Sequence, residues 1–441
     1  MESTVPSLND HELREHVRKL LLSNIDEGYS KSLKTRYCFI RPSPASYPFQ
    51  FWWDTCIHVF ILCALGEYEL AKKNILSLFA VQEPNGFVGH MISWKKVLPK
   101  NMRDILQARP TIHQHVRPNM SALIAPPLVA QAVLRIYEDT HDRAFVCSML
   151  PQLKKYFEWL VSNRDFEGNG LISIITSFES GMDWKPSFDP VVGFRHGRAN
   201  KGLFWRMMYV DLRNFLHRYN VEAIYKANYF LVKEVGFNTL YAQDLHALAR
   251  LCSIVQDQDA SRYASRAEQV TRSMLDLMYD EETAAFYDIY GRSYTKSKIL
   301  TPTVFFPMVL PGVPESIGCE IVEKHLFKKG EFQTPYPLPS VAVNDPSFDP
   351  FEAPIYLWRG PTWVVYNWFL YQCLLCKGFA KEANNLLETV KRLIEKSGFR
   401  EYYHPFMGDG YGARDFTWSG LVVDMLRMKE ANQAEVARKK E

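Results

Sequence analysis

The sequence predicts an all-α fold, an (α/α)6 toroid in which helical hairpins close into a ring. Three observations carry that expectation. Apolar residues recur at helical spacing in roughly a dozen segments, most of them paired across short turns. Few stretches alternate apolar and polar residues as a half-buried strand would. No self-similar consensus recurs along the chain, as it would in an open solenoid, so the closed form is expected.

The first helix opens at Asn9-Asp10-His11-Glu12, a capping-box pattern in which Asn9 caps and Glu12 reaches back, ahead of Leu13, Val17, Leu20 and Leu21. Helical patterns follow over about 55–66, 68–81, 119–138, 141–163, 202–218, 220–234, 238–256, 259–278, 314–327, 361–377, 379–397 and 415–430. The connections 34–52, 82–118, 176–201, 329–360 and 398–414 are long and rich in Pro, Gly and aromatic residues. If the short turns lie at one end of a toroid, these long connections gather at the other and form the mouth of a central pocket. The stretch from Trp94 to Pro118 is basic, and 82–118 reads as a lid on the leaving-group side; 429–441 reads as a solvated, frayed tail. No linker divides the chain, so residues 1–441 are expected to form one catalytic domain.

Composition excludes several function classes. The 52 basic and 49 acidic residues are spread along all 441 positions, giving a formal charge of +3 and no basic stripe for nucleic acid. The N-terminus lacks a basic segment followed by an apolar one, and no apolar run is long enough to span a membrane, so a cytoplasmic protein is expected. The eight cysteines form no paired framework; Cys373 and Cys376 share a redox spacing but sit in an apolar helical run and read as core. His11 and His16 stand five apart, on different helix faces, and no metal site or cofactor is expected. The expected partner is a small carbohydrate, with self-association left open.

Four segments concentrate the chemistry. Phe49-Gln50-Phe51-Trp52-Trp53-Asp54-Thr55 combines rings that can stack on sugar C–H faces with a carboxylate that accepts from hydroxyls, although Asp54 could equally cap a helix. Phe178 to Asp189 packs Glu179, Asp183 and Asp189 into a turn with Gly181 and Trp184; desolvation beside a ring can raise one carboxyl into a general acid, and the residues alone do not say which. Trp358-Arg359-Gly360-Pro361-Thr362-Trp363 sets an arginine between two tryptophans, suited to hydroxyls or to a carboxylate, or simply to a structural pair. Finally, Glu401-Tyr402-Tyr403-His404-Pro405 precedes Asp415 and Trp418, with Glu401 and Asp415 both candidate bases. The glycines at 408, 410 and 412 follow no strand-and-lysine pattern and do not form a phosphate loop.

Taken in order, these segments resemble the motifs of inverting glycosidases of the (α/α)6 clan, specifically glycoside hydrolase family 63 and its short mannosylglycerate and glucosylglycerate hydrolases. Phe51-Trp52-Trp53-Asp54-Thr55, Glu179-Ser180-Gly181-Met182-Asp183, Trp358 to Trp363 and Glu401 to Pro405 each match a family motif, and together they span most of the chain. The resemblance implies that Asp183 is the general acid and Glu401 the general base. It further implies a substrate pocket built from Tyr47, Phe51, Trp53, Asp54, His90, Gly181, Trp184, Trp358, Arg359, Gly360, Trp363 and Trp418. The chain begins directly at the toroid, which favours the compact branch acting on small α-glucosides or α-mannosides. A trehalase-like or oligosaccharide α-glucosidase is the alternative, and a toroid sugar epimerase would need paired histidines among His58, His90, His196 and His246. Departures from the family pattern are Phe51 for Trp, Leu357 for Tyr, His404 for Asn and Ala125 for a polar residue.

Overall fold

The computed structural model describes residues 9–95, 119–353 and 355–438. Helix α1 (Asp10–Ser23) starts as its sequence requires: the Asn9 side chain accepts from the Glu12 N–H at 2.9 Å, and the Glu12 carboxylate accepts from the Asn9 N–H at 3.1 Å. A hairpin of β1 (Ile25–Ser30) and β2 (Thr35–Ile40) follows. The remaining helices are α2 (Trp52–Ala64), α3 (Tyr68–Phe79), α4 (Val129–Thr140), α5 (Arg143–Arg164), α6 (Lys201–Leu216) and α7 (Val221–Ala227). They continue with α8 (Val235–Val255), α9 (Ala260–Leu277), α10 (Glu315–Ile321), α11 (Val364–Cys376), α12 (Ala380–Ser397) and α13 (Val422–Arg438).

Six elements close an inner ring. Helix α2 packs on α4, α4 on α8, α8 on a 3-10 helix at Pro302–Val309, that helix on α11, α11 on a 3-10 helix at Thr417–Leu421, and the last back on α2. Two of the inner helices, α2 and α11, are buried nearly all round, as their largely apolar sequences dictate: every residue of Trp52–Cys63 and of Val364–Tyr371 is buried, whereas inner helix α4 buries only one face. Outer helices are amphipathic instead; α12 buries Ala383, Leu386, Leu387, Val390, Leu393 and Ile394 against α11 and keeps its charged face wet. This is the (α/α)6 toroid that the helical pairing predicts.

Several segments differ from the sequence expectation for local reasons. The pattern over 220–234 holds a helix only to Ala227, because Asn228 turns left-handed, and Val232–Lys233 then pairs as a strand with Ile289–Tyr290. Helix α4 begins at Val129 rather than 119, after Pro126 and Pro127; the buried Asp244 carboxylate on α8 accepts from the Ala130 and Gln131 N–H groups and caps it. The inner element at 302–309 went unforeseen because Pro302 and Pro307 interrupt an α pattern while a 3-10 helix tolerates them. Over 314–327, the α-helix stops at Ile321 and widens into a π turn. Helix α13 runs on to Arg438 with its last turns exposed, and 439–441 lies outside the described residues. Of the expected lid, Trp94 stacks on Tyr37 at 4.9 Å and donates to Gln50 at 2.8 Å, whereas 96–118 lies outside the described residues.

Ring closure is sealed by a buried polar contact, His58 Nε2 to Thr417 Oγ1 at 2.6 Å, between α2 and the last inner element. Burial holds the His58 imidazole down to a pKa of about 3. The unfolded chain therefore takes up a proton near pH 6.5 that the native state refuses until about pH 3, and stability falls as pH drops across that window. Thermal unfolding of the wild type and His58→Gln from pH 7 to 4 checks this; the variant, less stable at pH 7, is expected to lose less on acidification.

Candidate active site

The three acids of the mid-chain segment end in different surroundings. Glu179 is fully buried: Arg164 donates to both of its oxygens at 2.6 and 2.8 Å, and the Ile124 and Ile175 N–H groups donate at 3.0 and 2.9 Å. Asp189, also fully buried, accepts both terminal nitrogens of Arg359 and faces His196 Nδ1 at 3.1 Å. Between them, Lys185 is clamped to Glu234 and, at 2.9 Å, to Asp288, all three buried. Asp183 lies inside this frame and is the one acid of the three with solvent exposure. Gly181 explains the local turn. Its φ is +73°, and a Cβ there would stand 2.3 Å from Cζ3 of Trp53, so the backbone that leads into Asp183 lies directly on that ring.

Glu401 sits on the other half of the site. It belongs to a hairpin of β3 (Arg400–Tyr403) and β4 (Gly410–Arg414), within the connection 398–414 that the sequence predicts as a loop. Its two oxygens are oriented separately: the Tyr47 hydroxyl donates to Oε1 at 2.6 Å and the Ala413 N–H to Oε2 at 2.8 Å. Gly412 is required beside it, with φ +66° and a would-be Cβ 2.6 Å from Oε2. The rival base Asp415 is exposed and, with φ +51°, serves as a turn residue whose carbonyl accepts from Asn24. His404, standing where Asn is common, accepts at Nδ1 from the Phe406 and Met407 N–H groups, both at 3.1 Å, and so orders the hairpin turn.

Aromatic rings join the two halves. Trp358 and Trp363 stack at 3.7 Å; Trp363 lies 5.9 Å from Trp418, and Trp418 meets Trp53 edge-on at 5.2 Å. The Trp418 indole N–H donates to Asp54 Oδ1 at 2.8 Å, and burial, aided by the Glu401 charge, pushes the Asp54 carboxyl up to about 7. Phe51 packs near Tyr47 and His90, with ring centroids 6.0 and 6.5 Å away, and His90 Nδ1 bonds to Ser121 Oγ. The buried indole N–H groups of Trp53 and Trp184 have no hydrogen-bond partner among the described residues.

Arg359 and Gly360, also expected at the pocket, are buried. The guanidinium, 1% exposed, donates to Asp189, to the Trp184 carbonyl at 3.2 Å and to the Gly197 carbonyl at 3.4 Å. A Cβ on Gly360 would lie 2.5 Å from the Asp349 carbonyl oxygen, so this glycine permits a close backbone approach. Residues that sequence reading passed over include Arg164, Lys185, Glu234 and Asp288, whose pairing is visible only in three dimensions, and Tyr366. The buried Tyr366 ring lies 5.1 Å from Trp358, its hydroxyl has no partner among the described residues, and burial, then the charges of Glu234 and Asp183, raise its pKa. Asp183 and Glu401 thus each act electrostatically on groups of one aromatic cluster, Asp183 on Tyr366 and Glu401 on Asp54.

Comparison with known proteins decides the family. A family model for the mannosylglycerate hydrolase MGH1-like glycoside hydrolase domain matches residues 47–419. The chain belongs to this family. As a glycoside hydrolase it is 30% identical to a mannosylglycerate hydrolase of Thermus thermophilus over 423 residues, covering 88% of this chain and 96% of the relative. It is 24% identical to a glucosylglycerate hydrolase of Mycolicibacterium hassiacum, covering 86% and 92%. The crystal structure of a Thermus thermophilus mannosylglycerate hydrolase of family GH63 superposes with a TM-score of 0.80 at 24% identity, over 94% of this hydrolase and 100% of that chain. Among the described residues no helix is long and apolar enough to cross a membrane.

The raised Asp54 carboxyl has a measurable consequence. The unfolded chain ionises Asp54 near pH 3.8 while the native state keeps its proton until about pH 7, so this group makes the fold less stable as pH rises between those values. Asp54→Asn keeps an oxygen for Trp418 and is expected to flatten that decline in thermal unfolding measured from pH 4 to 8; an unchanged slope would place the raised carboxyl elsewhere.

Proposed function

We propose that this glycoside hydrolase cleaves a small α-linked mannoside or glucoside with inversion, Asp183 acting as general acid and Glu401 as general base. One observation carries the assignment: Glu179 and Asp189 are each held by a buried arginine, whereas Asp183 is the one acid of the three with solvent exposure, on the turn whose Gly181 lies against the Trp53 ring. Protonated Asp183 donates to the glycosidic oxygen. Glu401, oriented by Tyr47 and the Ala413 N–H, removes a proton from the water that attacks the opposite face of the anomeric carbon. The bond to the leaving group breaks as the bond to water forms, and the product is released with inverted configuration. Such a pair stands roughly 6.5–9.5 Å apart to admit the water.

The aromatic cluster supplies the sugar's apolar wall, and Asp54 accepts from hydroxyls through the oxygen that Trp418 leaves free. Mannosylglycerate and glucosylglycerate, on which the named relatives act, are the substrate class, in a cytosolic setting that suits eight free cysteines. The histidines that an epimerase would pair are dispersed: His58 bonds Thr417, His90 bonds Ser121, and His196 bridges Asp189 and Asp345.

Release of free sugar from mannosylglycerate, glucosylglycerate, trehalose, kojibiose and nigerose tests the substrate class; the two glycerate glycosides are expected to dominate. Asp183→Asn and Glu401→Gln are near-isosteric and are each expected to lower kcat by at least ~10²-fold, the range of acid–base assistance, with thermal midpoints near wild type. A fully active Glu401→Gln protein would refute the assignment.

A further inference from the structure

The segment from Tyr336 to Thr362 touches both halves of the site. At its ends it is paired with the strand that carries Glu401: Thr362 and Tyr403 exchange N–H···O bonds of 2.8 and 2.9 Å, and the Tyr336 N–H donates to the Pro405 carbonyl at 2.9 Å. From its middle it reaches the segment that carries Asp183. Arg359 grips Asp189 and the Trp184 carbonyl, and Asp345 faces His196 Nε2 at 2.9 Å. His196 Nδ1 in turn faces Asp189 at 3.1 Å. The segment is a strut between proton donor and proton acceptor.

His196 is the unusual member. Both ring nitrogens face carboxylates, which only accept, while a neutral imidazole has one donor; the arrangement is satisfied by the imidazolium alone. The charged groups against the ring are Asp189 from the acid segment and Asp345 from the strut, with Arg359 behind Asp189. Charges therefore alternate along Asp345, His196, Asp189 and Arg359. The Asp345 carboxylate is itself oriented by the Ser347 N–H at 2.8 Å and the Ser347 hydroxyl at 2.5 Å. With its side chain 27% exposed, His196 can exchange its proton with solvent.

We propose that His196, as an imidazolium, is a positioning residue that bolts the strut to the acid segment and so holds Asp183 at its working distance from Glu401. Hydrogen bonds to both aspartates push its pKa up to about 9, so the bolt is charged at neutral pH and loosens as pH rises through that value. The inference rests on the acid and base roles given above and adds a residue that touches neither the substrate nor the attacking water.

Two measurements on full-length protein test it. In ¹⁵N-histidine NMR, both His196 nitrogens are expected to be protonated at pH 7.5 and to titrate near pH 9, and Asp345→Asn to move that titration downward; titration near the ordinary 6.5 would overturn the proposal. In kinetics with mannosylglycerate, His196→Gln and Asp345→Asn are expected to lower kcat by on the order of 10–10²-fold with little change in KM, as misplacement of a reacting group does. His196→Lys, which keeps the charge, should recover part of the loss, and unchanged kcat in both neutral variants would refute the role. If the wild type hydrolyses none of the panel, the functional reading fails by itself, and amide exchange decides the bolt: faster exchange over 178–194 in His196→Gln, with α8 unchanged, supports it, and unchanged exchange overturns it.

Discussion

The working geometry depends on buried ion pairs that bracket Asp183 in the chain. Arg164 holds Glu179 four residues before it, Glu234 and Asp288 hold Lys185 two residues after, and Arg359 holds Asp189 six residues after. Such pairs do not stabilise a fold cheaply, since desolvating both charges offsets much of their attraction, yet removing one partner costs about 3–5 kcal/mol. Their effect is on uniqueness: the partners come from α5, from Glu234 with Asp288, and from the strut, so the turn bearing Asp183 has one position relative to three other parts of the fold. Trp184, held at φ +60° with its carbonyl on Arg359, shows that the segment is fitted to its clamps rather than to local backbone preference.

The opposite half uses a different device. Glu401 rides on a two-stranded hairpin, oriented by one phenol and one backbone N–H, with Gly412 leaving room for its carboxylate. Around both halves the tryptophans exclude water, and the same exclusion raises Asp54 to about 7. A low-dielectric wall with a few oriented polar groups strengthens each hydrogen bond a bound sugar makes, which is where the rate enhancement beyond proton transfer arises. The strut links these two halves.

Much of this was legible in the sequence. Paired helical patterns foretell the ring of hairpins, and the lack of a repeat consensus foretells closure. Elements with weak periodicity were not legible: the 3-10 helix at Pro302–Val309 hides behind two prolines, and the hairpins at 25–40 and 400–414 have strands too short or too wet to alternate clearly. In the site, aromatic-flanked acids stood out, but Glu179, Asp183 and Asp189 could be separated only by seeing Arg164 and Arg359, which lie 15 and 170 residues away from the acids they hold. Arg359 itself, between two tryptophans, looked equally suited to ligand or protein; its burial resolves the choice in favour of protein. Tyr366, inside an apolar helix, carried no sequence signal beyond core packing.

The central claim is that proton donor and water activator stand on opposite faces of one bound pyranose. Proton NMR of the anomeric region during the first minutes of hydrolysis of an α-mannoside or α-glucoside, before mutarotation, tests it most directly. The account predicts that the β-anomer of the free sugar appears first and the α-anomer only later; initial release of the α-anomer would mean retention and would contradict it.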